Sequence, residues 1–99
     1  MRNASGASVE AIKWLVEDRR VMTLGADNLG VEAMPSQDAS NWLPVHTYLL
    51  AQRGTMFIEL LYLEELSAQG VYEFLFIGAP LKLRGASAGP MRPLAIPLR

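Results

Sequence analysis

Pro44-Val-His-Thr-Tyr-Leu-Leu-Ala-Gln-Arg-Gly-Thr-Met-Phe-Ile-Glu-Leu-Leu61 decides how this chain is read. Proline has its φ already set for a first helical turn, and glycine tolerates the left-handed conformation that ends a helix. Pro44 and Gly54 therefore bracket a helix that runs to Arg53. Thr55 to Leu61 follows at once with apolar, branched and aromatic residues suited to a strand. A helix joined directly to a strand predicts a layered packing of one against the other, the signature of a mixed α/β domain.

Upstream, Ser8 is placed to cap a helix, with Glu10 in the first turn where the helix dipole favours a negative charge. Val9, Ile12, Leu15 and Val16 recur at helical spacing, opposite Glu10, Lys13, Glu17 and Asp18, and predict an amphipathic helix over 9–19. Val21 to Gly25 reads as a strand ending in the turn Gly25-Ala-Asp27-Asn28. Residues 26–43 are largely irregular, with a brief strand at Val31 to Met34; a loop of this length is often functional or interfacial. Downstream, Leu63 to Ala68 forms a short helix closed by Gly70. Val71 to Ile77 is an apolar strand, and Met91 to Leu98 an extended segment whose prolines suit an edge. The order α-β-loop-α-β-α-β-β gives the expectation of one domain over 1–99, with helices packed on a small sheet and residues 1–7 as a flexible lead-in.

Apolar residues make up 51% of the 99 and charged residues 19%, a globular balance. So apolar a chain of this size predicts that part of its surface meets another chain. A net charge of −1 supplies no field for nucleic acid or an anionic membrane. The absence of cysteine removes disulfides, thiolate nucleophiles and cysteine zinc sites, and fits a cytoplasmic protein. The segment from Met1 to Ala7 lacks the apolar stretch of a signal peptide, and no apolar run reaches the roughly 20 residues needed to span a bilayer. Neither Gly-rich phosphate motif is present, so no nucleotide cofactor is expected.

His46 is the single histidine, and it falls in the first turn of its helix. The positive end of the helix dipole there favours neutral imidazole, the form that binds metals. Glu59 lies between Ile58 and Leu60 in an apolar strand, where a carboxylate needs a cation or several donors. Thirteen residues separate the two, and a helix packed beside its following strand can bring them together as ligands for a divalent ion. The plainer alternative makes His46 a capping or surface residue and Glu59 a solvent-end carboxylate, or one paired with Lys82 or Arg84. Elsewhere, Lys82, Arg84 and Arg92 read as solvated flanks of apolar strands or as an anion site. Tyr72, Phe74 and Phe76 read as core packing, or as strand covered by a partner, ahead of an aromatic ligand pocket. Trp14 and Trp42 read as packing residues, and Glu17 and Asp18 as a solvated helix face.

Taken in order, Ser8-Val-Glu-Ala-Ile-Lys-Trp-Leu15, Leu24-Gly-Ala-Asp27, Pro44-Val-His46, Glu59 with Leu63-Glu-Glu-Leu66, Pro80-Leu-Lys-Leu-Arg-Gly85 and the tail Pro90-Met-Arg-Pro-Leu-Ala-Ile96 form a pattern. It is similar to the C-terminal part of the cyclase family of metal-dependent hydrolases, which includes bacterial kynurenine formamidase and isatin hydrolase. The likeness covers residues 8–96. It implies part of a swivelling β/β/α domain and a divalent metal, zinc or manganese, that activates water to open an amide or lactam. It also implies that His46 and Glu59 match two of the family's metal ligands. The family's His-x-Gly-Thr-His-x-Asp motif does not occur here. The turn at Ala51-Gln-Arg-Gly54 is one residue longer than in the formamidases, and Leu60 stands where many members have asparagine. The expectation is accordingly a self-assembling fragment without full catalytic machinery, a homo-oligomer because the family's missing half would have covered strands and helix faces left exposed here. The alternatives are one half of a split hydrolase, with a partner chain supplying the N-terminal half, and a hydrolase whose site is shared between protomers.

Overall fold

The computed structural model describes residues 3–98; Met1 and Arg2 of the expected lead-in, and Arg99, lie outside them. The fold is mixed α/β and divides into two compact units, Met1–Tyr62 and Leu63–Arg99. In the first unit, helix α1 starts as an ordinary α-helix over Val9–Lys13 and continues in a wider winding over Trp14–Asp18. Ser8 caps it, its hydroxyl accepting the Ala11 N–H at 3.2 Å. Strand β1 is Thr23–Gly25. Helix α2 opens at Pro44–His46 and continues in the wider winding over Thr47–Arg53. Strand β2 is Met56–Ile58.

Both helices end in hydrogen bonds that reach five residues back or more. Arg19 N–H bonds the Trp14 carbonyl, Gly54 N–H bonds that of Leu49, and so does Thr55 N–H at 2.8 Å. Such a winding holds one more residue per turn than an α-helix. Gly54, at φ 66°, then turns the chain through the left-handed region into β2.

Strands β1 and β2 pair in parallel, with Thr23 opposite Met56, Leu24 opposite Phe57 and Gly25 opposite Ile58. A parallel pair needs a crossover, and α2 supplies it. The core lies where α1 and α2 meet: Ile12, Val31, Val45, Tyr48 and Leu49 are buried, with Val9, Leu15, Val16, Leu24 and Phe57 packed around them. The apolar stripe read on α1 is thus its inward face.

Ala4 bridges Met34 antiparallel and Ala7 bridges Glu32 in parallel. Between them Gly6 lies so close to the Glu32–Ala33 backbone that a Cβ would collide with it. The brief strand expected at Val31 to Met34 reduces to these two bridges. In the second unit, α3 is Glu64–Ala68, followed by a turn at Gly70. Strands β3, Phe74–Ile77, and β4, Leu94–Pro97, form a separate antiparallel pair. The second unit has no buried residue among those described. No helix among the described residues is long and apolar enough to cross a membrane.

Candidate functional site

The first turn of α2 leaves backbone N–H groups without helical partners. Pro44, at the opening, has none to satisfy. The next two are met by a carboxylate from far away in sequence: Glu32, only 2% exposed, accepts the N–H groups of Val45 and His46, each at 3.2 Å. The same carboxylate lies 2.6 Å from His46 Nδ1. A carboxylate can only accept, so Nδ1 is the ring nitrogen that carries hydrogen toward it. Glu32 therefore caps the helix and orients the imidazole at once.

With Nδ1 so engaged, Nε2 faces Glu59, whose Oε1 is 3.4 Å away. The edge-on packing of the ring with Phe57, centroids 4.7 Å apart at 80°, limits its rotation. Glu59 leaves the end of β2 with its backbone held from both sides. Ala26 N–H donates to the Ile58 carbonyl at 2.9 Å and Leu60 N–H to the Asn28 carbonyl at 3.1 Å. Asn28 also fixes the other carboxylate's segment. Its Oδ1 accepts the Val31 N–H at 2.7 Å, and its Nδ2 donates to the Ser5 carbonyl at 2.7 Å.

Non-glycine residues in the left-handed region adjoin both carboxylates: Val31, φ 58°, precedes Glu32, and Leu60, φ 56°, follows Glu59. A β-branched residue there is a marked outlier, and such conformations persist only where surrounding bonds enforce them. The result is a line, Glu32 carboxylate, His46 imidazole, Glu59 carboxylate, with one buried end and one half-exposed end.

Two ligand atoms held about 2.1 Å from one tetrahedral ion lie about 3.4 Å apart, which is the Nε2–Oε1 separation found. An imidazole whose far nitrogen is bonded to a carboxylate is also the usual supporting arrangement around bound metals. His46 Nε2 and Glu59 Oε1 are the two atoms that could serve as ligands to a divalent ion placed between them. Among the described residues, no group of three or more His, Cys, Asp or Glu side chains is arranged to hold an ion.

The sequence reading singled out His46 and Glu59 and missed Glu32 and Asn28. The one local signal for Glu32 was a carboxylate between Val31 and Ala33-Met34 in an otherwise apolar stretch. Glu17, read as part of a solvated face, accepts a hydrogen bond from the Tyr48 hydroxyl at 2.8 Å. Burial, reinforced by that bond, raises the Tyr48 phenol above its ordinary value. Lys82, Arg84 and Arg92 are exposed and make no ion pair among the described residues. A shallow cleft of about 340 Å³ opens beside Glu32, between the starts of α1 and α2, and neither His46 nor Glu59 lines it.

The chain is 32% identical over 91 residues to Cyclase-like protein 3 of Oryza sativa subsp. japonica, an alignment covering 92% of this chain and 31% of that protein. The chain thus spans about a third of the length of the curated relative it matches. No family model matches it, and no solved structure does.

Proposed function

We propose that this chain carries two ligands, His46 Nε2 and Glu59 Oε1, of a divalent zinc or manganese site of the cyclase type of amide hydrolase. In this reading it corresponds to the C-terminal portion of such an enzyme. The carrying observation is the 3.4 Å separation of those two atoms with the far side of the ring bonded to buried Glu32 at 2.6 Å. The likeness to a cyclase-like protein supports the same class. When bound, the ion would lower the pKa of a coordinated water and polarise an amide or lactam carbonyl.

The chain's own part is positional. Glu32 keeps the hydrogen on Nδ1, leaving the Nε2 lone pair for the ion. Asn28 and the β1–β2 pairing hold the Glu59 backbone in register. Two ligands are one short of the three protein ligands usual for catalytic zinc, so hydrolysis requires a further ligand from outside residues 3–98. By this reading the described residues form a metal half-site and are inactive alone.

Calorimetric titration with manganese and zinc tests it. One ion should bind per site in the native chain, and binding should weaken at least about tenfold in His46→Ala and in Glu59→Ala, the expected loss of one ligand bond. Equal binding by all three proteins would end the proposal.

A further inference from the structure

The segment that presents Glu32 belongs to no helix or sheet, so its backbone groups must find partners elsewhere. Val31 N–H donates to the Asn28 side chain and Glu32 N–H to the Gly30 carbonyl, both local. The next two reach residues 4–7: Ala33 N–H donates to the Ala7 carbonyl at 3.4 Å and Met34 N–H to that of Ala4 at 3.0 Å. Bonds also run the other way. Ala7 N–H donates to the Val31 carbonyl at 2.9 Å and Ala4 N–H to the Met34 carbonyl at 3.0 Å. A further bond ties the same stretch to the turn before the segment, with Asn28 Nδ2 donating to the Ser5 carbonyl at 2.7 Å. Residues 4–7 thus lie along 31–34 as a strap.

Gly6 sets how closely the strap lies. A Cβ at that position would meet the Glu32 carbonyl carbon and oxygen and the Ala33 nitrogen, all of them backbone atoms. Backbone cannot swing aside as the end of a long side chain can, so any residue other than glycine moves the strap or the segment under it. The cargo of that segment makes the displacement matter. The Glu32 carboxylate holds Val45 N–H and His46 N–H at 3.2 Å each, and His46 Nδ1 at 2.6 Å. A shift of about half an ångström takes bonds of 3.2 Å beyond hydrogen-bonding range. A neutral imidazole has one hydrogen, and which nitrogen carries it is set by the bond the ring makes.

We propose that Gly6 is a positioning residue for His46. By letting residues 4–7 lie against the Glu32–Ala33 backbone, it seats the carboxylate that keeps the hydrogen on Nδ1 and leaves the Nε2 lone pair free. The action runs from Gly6 to the Glu32 backbone, from there to the Glu32 carboxylate, and through one hydrogen bond to the ring. Its consequence for an ion rests on the reading of His46 Nε2 as a ligand, whereas the tautomer is a property of the ion-free chain. Failure of an ion to bind therefore leaves this inference standing, and a tautomer indifferent to Gly6 leaves the ligand reading standing.

Imidazole ¹⁵N resonances of the full chain, recorded with chelator at about pH 9, above ordinary imidazole titration, report the tautomer of the single histidine. The native chain should carry the hydrogen on Nδ1. Gly6→Ala should move most of it to Nε2. Ser5→Ala, at an exposed neighbour whose bond to Asn28 comes from its backbone carbonyl, should leave it on Nδ1. An unchanged tautomer in Gly6→Ala overturns the proposal, and so does an equal change in Ser5→Ala. Because Gly6→Ala can also loosen the fold, hydrogen exchange in the native chain supplies a second test. The Ala7, Ala33 and Met34 amides of the strap pairing should open together with the Val45 and His46 amides that Glu32 holds. Free exchange at the first three beside protection at the last two overturns the proposal as well.

Discussion

Residues next to the two carboxylates carry backbone strain that can be measured. Leu60 holds φ 56° while its side chain is 66% exposed, so it has the cost of the left-handed region without much burial in return. Asparagine tolerates that region better than leucine. Leu60→Asn is expected to raise stability by about 1 kcal/mol, read as a higher urea midpoint at unchanged slope. A lower midpoint would mean that the Leu60 side chain does more than its exposure indicates. Glu32 is the opposite case. Its carboxylate serves Val45 N–H, His46 N–H and His46 Nδ1 from a buried position, so Glu32→Ala strands three donors. The expected loss is about 3 kcal/mol, checked by the same denaturation, and a change within about 0.5 kcal/mol would remove Glu32 from the account.

At the scale of elements, what was legible in the sequence is what local chemistry encodes. Ser8, Pro44 and Gly54 mark helix ends through caps and φ preferences, and the Val9, Ile12, Leu15 and Val16 stripe gives the inward face of α1. Strands came out longer in the reading than in the fold; Thr55 to Leu61 shortens to Met56–Ile58 because Leu60 turns the chain out of the extended region. Glu32 was not legible as a helix cap because its conformation depends on tertiary partners. Those partners are the Ala4 and Ala7 bridges, the close approach of Gly6 and the Asn28 side chain, none encoded by residues 31–34. The link between α1 and α2 through Glu17 and Tyr48 was hidden for the same reason, and it has a pH signature. The folded Tyr48 phenol titrates above its unfolded value of 10.0, so in that range the folded chain holds a proton the unfolded chain has released. The associated stability is complete below pH 10 and is lost as pH rises through the folded value. Melting temperatures followed from pH 8 upward (about 8 to 11.5, spanning ordinary phenol titration) should fall more steeply in the native chain than in Tyr48→Phe. Parallel curves would show that the phenol titrates alike in both states.

For the whole molecule, two features stand in different units and make separate demands. The first unit presents a carboxylate–imidazole–carboxylate line. The second presents a two-stranded ribbon of apolar residues. The central claim is that His46 Nε2 and Glu59 bind a divalent ion while Glu32 keeps its hold on Nδ1. The chain has a single histidine, so its two imidazole nitrogens can be followed without ambiguity by ¹⁵N nuclear magnetic resonance during zinc addition. The account predicts that the Nε2 resonance moves to a metal-bound position by the first equivalent of zinc, that Nδ1 remains protonated, and that Glu59→Ala abolishes the change at that concentration. An Nε2 resonance indifferent to zinc, or one that moves equally in Glu59→Ala, would contradict it.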